Sequence, residues 1–421
     1  MNEPLSILVV GGGAAGFFGA IACATANPQH RVTLLEASRK PLHKVRISGG
    51  GRCNVTHACF DAASLVKHYP RGGKALRGAF TRFQPRDTVE WFAKRGVKLK
   101  TEADGRMFPT TDDSETIVQC LLKEARETGV RLRLQSPVSS VSREGTGFRV
   151  RLKNGETCYG DRLLLATGSH PKGYQFARDL GHSIAPPVPS LFTFNIDEPK
   201  LHELAGVSVP EATVRLPEAK LTQSGPVLVT HWGFSGPAIL KLSAWGARFL
   251  CDRNYRSPLL VNWLPQENPE TLRQQLLTVK TRETRKAIAT FSPVALPRRL
   301  WLYHLTRADI DGKKRWAELS KKEMARLVRH LLQDEYAVTG KGIFKDEFVT
   351  CGGVNLKEVH FKTLESRRCP NLYFAGELLD IDGVTGGFNF QNAWTTSWLA
   401  GNAMAMTSYQ SPVTSKNRFQ P

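Results

Sequence analysis

The sequence predicts an α/β protein: a doubly wound parallel sheet, interrupted by a barrel-like β-domain and a helical segment. Three observations predict it. A short buried strand, a glycine cluster and a small-residue helix open the chain. An apolar strand, an acid and a glycine-rich turn precede a helix near its far end. Between them, residues 191–346 change first to alternating apolar runs and then to a helical pattern. A chain of 421 residues is long enough for two or three structural units.

Residues 5–10, Leu-Ser-Ile-Leu-Val-Val, read as a fully buried strand. Gly11-Gly12-Gly13-Ala14-Ala15-Gly16 follows, then a helix through about Ala26. Gly11 permits the tight turn, Gly13 lets backbone approach a pyrophosphate, and Gly16 lets helix pack on strand. The helix start at Ala14 and Ala15 faces the phosphates. A second strand, Arg31–Leu35, ends at Glu36-Ala37, and Glu36 is placed to accept hydrogen bonds from ribose hydroxyls. This is the Rossmann dinucleotide fingerprint in its required context. The apolar N-terminal run resembles a signal peptide, but no Lys or Arg precedes it and glycines interrupt it, so strand, turn and helix are expected instead. No other run approaches the roughly 20 apolar residues of a membrane span.

The far end decides between NAD and FAD. Asn371-Leu372-Tyr373-Phe374-Ala375 leads to Gly376-Glu377, then Asp380, Asp382 and Gly383-Val384-Thr385-Gly386-Gly387-Phe388-Asn389, with a helix from about Gln391 to Met406. In two-dinucleotide-binding flavoproteins, such an acid meets the ribityl chain, and the next helix aims its positive end at the flavin N1–C2=O edge. Gly376, Glu377, Asp382, Gly386, Gly387, Phe388 and Asn389 are therefore candidate cofactor residues. Leu165-Ala166-Thr167-Gly168 ends another buried strand and places Thr167 and Gly168 beside the dinucleotide. Residues 131–163 read as a small β-meander whose first strand, near Val138, would pass the adenine. The prediction is a Rossmann-type FAD-binding domain holding FAD non-covalently. There is no second GxGxxG, so NAD(P)H would dock only transiently.

Several strings are distinctive. They are Ile47-Ser48-Gly49-Gly50-Gly51-Arg52-Cys53-Asn54-Val55-Thr56, Gly105-Arg106-Met107-Phe108-Pro109, Thr230-His231-Trp232-Gly233-Phe234-Ser235-Gly236-Pro237, and Tyr373–Glu377 continuing through Gly387-Phe388-Asn389-Phe390-Gln391. On these the chain resembles the BaiN/RdsA-like FAD-binding family of NAD(P)/FAD-dependent oxidoreductases, over almost its whole length. The resemblance implies FAD, a three-part architecture and a redox reaction. Members resemble ribosomal-RNA dihydrouridine synthases, aminoacetone-type amine oxidases or reductases of steroid-like enones.

A discontinuous FAD-binding domain is expected over 1–190 and 347–421, because the two cofactor motifs must meet on one ligand. A β-barrel-like domain is expected over 191–262 and 335–346. A helical insertion is expected over 263–334, with a helix start at Asn268-Pro269-Glu270 and a capping box at Ser320-Lys321-Lys322-Glu323.

The net charge is +20, and it is concentrated. Residues 39–106 hold 16 Lys/Arg against 5 Asp/Glu, and 263–334 hold 15 against 8. In the first, Lys67, Arg71, Lys74, Arg77, Arg82 and Arg86 recur among Tyr69, Phe80 and Phe83. In the second, Arg282, Arg285 and Lys286 share near-helical spacing, Arg298 and Arg299 precede Trp301 and Tyr303, and Lys313-Lys314-Arg315 adjoins Trp316. Basic residues interleaved with aromatics suit RNA with unstacked bases. The bland alternative is two solvated faces over aromatic cores.

Reduction of a uracil C5=C6 bond takes a hydride at one carbon and a proton at the other, so a positioned acid is needed. Cys53 is one candidate, with Arg52 expected to tune its thiol; the alternative is that it packs against the flavin. His231 is a second candidate, against a buried structural histidine. Ser48 and Gly49, Gly50 and Gly51 would let their loop lie close to the isoalloxazine, with Arg52 and Asn54 on the flavin or its phosphates. Lys44 and Arg46 would help neutralise the pyrophosphate, and Arg106 could face the substrate. The eight cysteines show no CxxC spacing, which argues against disulfides or structural zinc and for a reducing cytoplasm. The leading expectation is an FAD-dependent reductase converting a uridine of ribosomal RNA to dihydrouridine with NAD(P)H. The competitors are a small-molecule amine oxidase or enone reductase, and a non-catalytic RNA-binding flavoprotein of ribosome assembly.

Overall fold

The computed structural model describes residues 3–342 and 349–406. The expected return to the cofactor domain at 347 falls outside these residues. Two compact units are present. One comprises the chain up to Ala185, Gly352–Ile381 and the segment from Gly386 onward; the other comprises Pro186–Cys351 and Asp382–Thr385.

The first unit is built on a seven-stranded sheet. Its parallel part runs Arg131–Arg133, Arg31–Leu35, Ser6–Val10, Arg162–Leu165, Leu372–Phe374. Ile7, Leu34, Leu164 and Phe374 are fully buried, as strands covered on both faces require. The order places the first strand centrally, with strands added on either side, so its C-terminal end faces the crevice where such sheets bind ligands. The helix Ala14–Ala26 packs along the C-terminal helix Phe388–Ala405, backbone to backbone at Gly401, where a methyl group would meet the Gly19 carbonyl. The C-terminal helix thus starts at Phe388, three residues earlier than its sequence pattern suggests. The β-meander is narrower than 131–163: three antiparallel strands span Val138–Glu144, Gly147–Leu152 and Thr157–Gly160. Residues 131–133 and 162–165 belong to the parallel sheet instead. Their apolar side chains serve that core, a choice alternation alone could not reveal.

The second unit contains a closed six-stranded antiparallel barrel. Its strands are Phe194–Ile196, Ser208–Leu216, Leu221–Thr230, Gly233–Ser235, Ser257–Asn262 and Asp334–Lys341. Phe194, Val214, Val229, Phe234 and Val261 fill it. The helices Pro269–Arg282, Arg298–Arg307 and Lys321–Leu332 enclose Leu276, Trp301, Trp316 and Leu327. Asn268 accepts from the Glu270 and Thr271 amides, and Ser320 exchanges hydrogen bonds with Glu323, so both helix starts are side-chain capped.

Candidate active site

The first unit's site is built mainly from backbone. At Gly11 the chain takes φ +111, and a methyl group there would lie 2.5 Å from the Ala166 carbonyl oxygen. At Gly16 a methyl would lie 1.8 Å from the Gly11 oxygen. Gly13 differs: nothing lies within 4 Å of where its Cβ would point. The helix that begins there has neither a side-chain cap nor an acid in its first turn. Its free amides and positive dipole end therefore suit a phosphate. The Glu36 carboxylate accepts the Gly12 and Ser38 amides, each at 2.7 Å, which orients it beside the turn. The Glu36 carbonyl accepts from the Ser136 amide at 2.8 Å, and Val138 begins its strand two residues on, so the meander enters beside Glu36. Ala37 is exposed at the same edge.

The Ala-Thr-Gly turn sits next to this cradle. The buried Thr167 Oγ1 has no hydrogen-bond partner among the described residues. A buried hydroxyl without a partner is costly, and a bound ligand would relieve it. Lys44 Nζ lies 2.6 Å from Glu377 Oε2 and 3.3 Å from Ser169 Oγ, joining the two dinucleotide motifs on one side chain. Arg46 turns away and pairs with Glu115.

The Ser48–Asn54 loop is a left-handed run. Gly49, Gly50, Gly51 and Cys53 have φ of 59°, 69°, 84° and 62°. Gly50 and Gly51 face open space, whereas a methyl at Gly49 would strike the Phe108 ring. Asn54, with its amide oriented to satisfy both neighbours, donates to the Thr56 carbonyl and accepts from the Gly387 amide at 2.9 Å. Thr56 and Thr88 hydroxyls both donate to Gln391 Oε1, at 2.6 and 2.9 Å. The loop is thereby fixed to the head of the C-terminal helix, whose N-terminus at Gly387 carries no side-chain cap and no acid in its first turn. Gly376 takes φ +70 and donates to Thr396 Oγ1 on that helix. Gly386 takes φ +130 beside His57. Phe388 is buried and Asn389 half-buried in the first turn.

Three expectations need correction. Arg52 does not tune Cys53: its guanidinium lies 2.7 Å from Glu102, 3.4 Å from Asp112 and 4.0 Å above the Phe108 ring. Cys53 itself takes a left-handed φ of 62°, and its side chain is buried. Burial pushes the fully buried Cys53 thiol up to about 12, against a smaller opposing hydrogen bond with Ser48. His231 is not a buried structural histidine; it is exposed in the two-residue turn before Gly233–Ser235. The interleaved aromatics are not stacking platforms: Tyr69, Phe80, Phe83, Trp301, Tyr303 and Trp316 are all buried. Asp382 is also fully buried, where it accepts from Ser190 Oγ at 2.8 Å. Arg106 is tied to Glu102 and Asp104.

Of the basic residues, Lys67, Lys74, Arg77 and Arg86 are exposed in the first unit. Arg71 is half-buried and partnered within the fold, and Arg82 donates to the Lys362 carbonyl. In the second unit Arg282 and Lys286 pair with Glu283, Lys314 pairs with Glu323, and Arg299 donates to the Glu203 and Ala205 carbonyls. Arg285, Arg298, Lys313 and Arg315 are exposed there.

Sequence reasoning did not single out His57 and His68. Their rings stack on Phe388 at centroid distances of 4.6 and 4.3 Å. Tyr69 OH donates to the Phe388 carbonyl at 2.7 Å. Two imidazoles at the head of the C-terminal helix are potential proton carriers that no spacing rule flags. Among the described residues no group of three or more His, Cys, Asp or Glu could hold a metal, and no helix is long and apolar enough to cross a membrane.

An open glycine turn, the oriented Glu36 carboxylate, a partnerless Thr167 hydroxyl and two helix N-termini without acids in their first turns fit FAD. The fold and site define a Rossmann-type, FAD-dependent oxidoreductase. The chain belongs to the family described as HI0933-like protein Rossmann domain, whose model matches residues 5–403. It is 31% identical over 411 residues to the ribosomal RNA dihydrouridine synthase of Escherichia coli (strain K12), covering 94% of this chain and 97% of that protein. It is 29% identical over 407 residues to the 3-dehydro-bile acid delta(4,6)-reductase of Clostridium scindens, covering 94% and 98%. Among solved structures it is similar in fold to the 3-ketosteroid-delta4-(5alpha)-dehydrogenase from Rhodococcus jostii RHA1, with TM-score 0.51, 13% identity, and 96% and 97% of the two chains covered.

Proposed function

We propose that this flavoenzyme reduces a uridine of ribosomal RNA to dihydrouridine, with NAD(P)H as electron donor. The observation that carries the reading is the placement of charge: the segment richest in uncompensated Lys and Arg lies in the unit that holds the cofactor motifs. Two relatives that span nearly the whole chain bear the name ribosomal RNA dihydrouridine synthase, which supports it. Bound non-covalently, FAD supplies the two-electron reduction; NAD(P)H, a proton and the uridine yield NAD(P)+ and dihydrouridine.

On this reading the chain binds, orients and protonates. The amides at Gly13–Ala15 receive the pyrophosphate and Glu36 the ribose. Thr167, Gly168, Glu377 and Lys44 line the path between the two dinucleotide motifs. The Gly49–Gly51 loop, held by Asn54, and the helix end at Gly387 receive the flavin ring. A thiol pushed up to about 12 is a poor proton donor near neutral pH, so His57 and His68 join His231 as the acids to test. The bile-acid relative favours a second reading, reduction of a small enone.

One experiment separates them. Purified protein with NADPH is offered, in parallel, ribosomal RNA lacking dihydrouridine and a steroid enone. The reading expects a uridine two hydrogens heavier by nucleoside mass spectrometry and no enone turnover. Enone reduction with unchanged RNA would replace it by the small-molecule reading. RNA binding without turnover of either substrate would favour a non-catalytic role.

A further inference from the structure

Phe60 stands at the entrance to the helical segment of the first unit, between the strand Thr56–His57 and the short helix Ala62–Leu65. Its ring is 40% exposed, whereas Tyr69, Phe80 and Phe83 nearby are core. Scattered exposed apolar side chains are ordinary, so exposure alone says little. What distinguishes Phe60 is its company. The Arg86 guanidinium stands over its ring at 5.6 Å. At Trp91 the Arg95 guanidinium comes to 3.8 Å, and at Phe108 the Arg52 guanidinium to 4.0 Å. At Phe60 the guanidinium stands farther off, and the ring stays accessible.

Cations continue from there. Lys74 and Arg77 lie three residues apart on the exposed side of the helix Gly73–Phe80, whose other side buries Leu76, Ala79 and Phe80. Neither makes an ion pair among the described residues. Lys67 is exposed in the preceding turn and faces Asp61, whose carboxylate is occupied in accepting the Ser64 amide at 2.7 Å. These short helices pack on one another, and through Tyr69 and His68 on Phe388, at the Gly386-Gly387 turn.

An accessible phenyl ring beside exposed cations matches what unpaired nucleotides present: a base with a π-face and a phosphate. A duplex keeps its bases stacked and offers the ring nothing. We propose that this cluster is a landing surface for single-stranded RNA. Phe60 stacks on an unpaired base, and Lys67, Lys74, Arg77 and Arg86 contact phosphates, next to the turn that heads the C-terminal helix. The proposal rests on the RNA reading above and names the surface that reading requires.

The test uses full-length, flavin-loaded protein. Anisotropy titrations compare a short fluorescein-labelled oligouridine with a duplex RNA of equal length. Phe60→Ala should weaken single-strand binding on the order of tenfold and leave duplex binding unchanged. K74E/R77E should weaken both and reduce the slope of log affinity against log salt by roughly 0.7 per lost phosphate contact on the single strand. Retained flavin absorbance shows that the variants fold. Single-strand binding by Phe60→Ala at wild-type strength would overturn the surface while leaving the RNA reading standing. Wild-type protein that binds neither probe would overturn both.

Discussion

The cofactor unit presents its backbone outward: left-handed glycines, amides without caps and a partnerless Thr167 hydroxyl converge where a ligand would satisfy them. The barrel-containing unit instead surrounds a buried carboxylate with its own donors. There Asp334 is fully buried and accepts from Trp263 Nε1 at 3.3 Å and from Tyr336 OH; His330 Nδ1 lies 2.9 Å and Arg307 3.2 Å from its other oxygen. Arg307 also pairs with Glu198 at 2.8 Å. The basic segments divide similarly. In the cofactor unit Phe60 stands exposed among cations, whereas the counterpart in the helical insertion, Phe291 under Lys286 at 5.2 Å, packs partly buried on that segment's core. Equal-looking charge in a sequence can be a surface awaiting a partner or the shell of a finished structure. The exposure of the ring beside the cations tells the two apart.

The comparison breaks most visibly at Gly13. A side chain there meets no protein atom within 4 Å, so Gly13→Val should fold yet be purified without flavin, seen as lost flavin absorbance with an unchanged melt of the barrel unit. Next in size is Asp334→Ala, which leaves the donors of Trp263, Tyr336 and His330 facing a buried gap and Arg307 with Glu198 alone. It should cost about 3–5 kcal/mol in denaturant unfolding, while the flavin stays bound in the cold.

The same network sets a pH dependence. Burial, more than the opposing pull of Asp334, lowers His304 from 6.5 to about 4, with Arg307 and His330 acting in the same direction as burial. As pH falls below 6.5 the unfolded chain takes up a proton that the folded chain refuses until about 4. Stability is thus full above pH 6.5 and is lost down to about 4, by up to about 3 kcal/mol. Asp334 is pushed up by burial, but His330, His304, Arg307 and Tyr336 together bring it below 3.8, so it adds a further loss under that pH. Thermal melts of His304→Leu should lack the portion between 6.5 and 4; a variant with the wild-type profile would remove His304 from the account. The smallest effect belongs to Lys44→Met. The lysine is 53% exposed, so losing its pair with Glu377 should cost under about 1 kcal/mol by denaturant titration.

Much of this was legible in the sequence where one residue type answers one geometric demand. Gly11, Gly13 and Gly16 with Glu36 in register announced the cradle, and Asn268 and Ser320 announced their helices. The barrel showed in its alternation. Exposure was not legible. Tyr69 and Trp316 alternate with cations in sequence yet point into cores, and His231 sits on a turn, because periodicity fixes which residues share a face but not what covers that face. Nor were His57 and His68, which are eleven residues apart, bring their ring centroids within 5.9 Å of each other and both stack on Phe388, more than 300 residues downstream. Arg52 and Cys53 are adjacent in sequence, yet one side chain joins an ion-pair cluster with Glu102 and Asp112 while the other is fully buried.

The central claim, that this flavoenzyme modifies ribosomal RNA, is tested most directly in cells. Ribosomal RNA from cells with and without the gene is digested and its nucleosides measured by mass spectrometry. The account predicts that one dihydrouridine disappears with the gene and returns with the wild-type protein but not with Gly13→Val. An unchanged dihydrouridine content would contradict it.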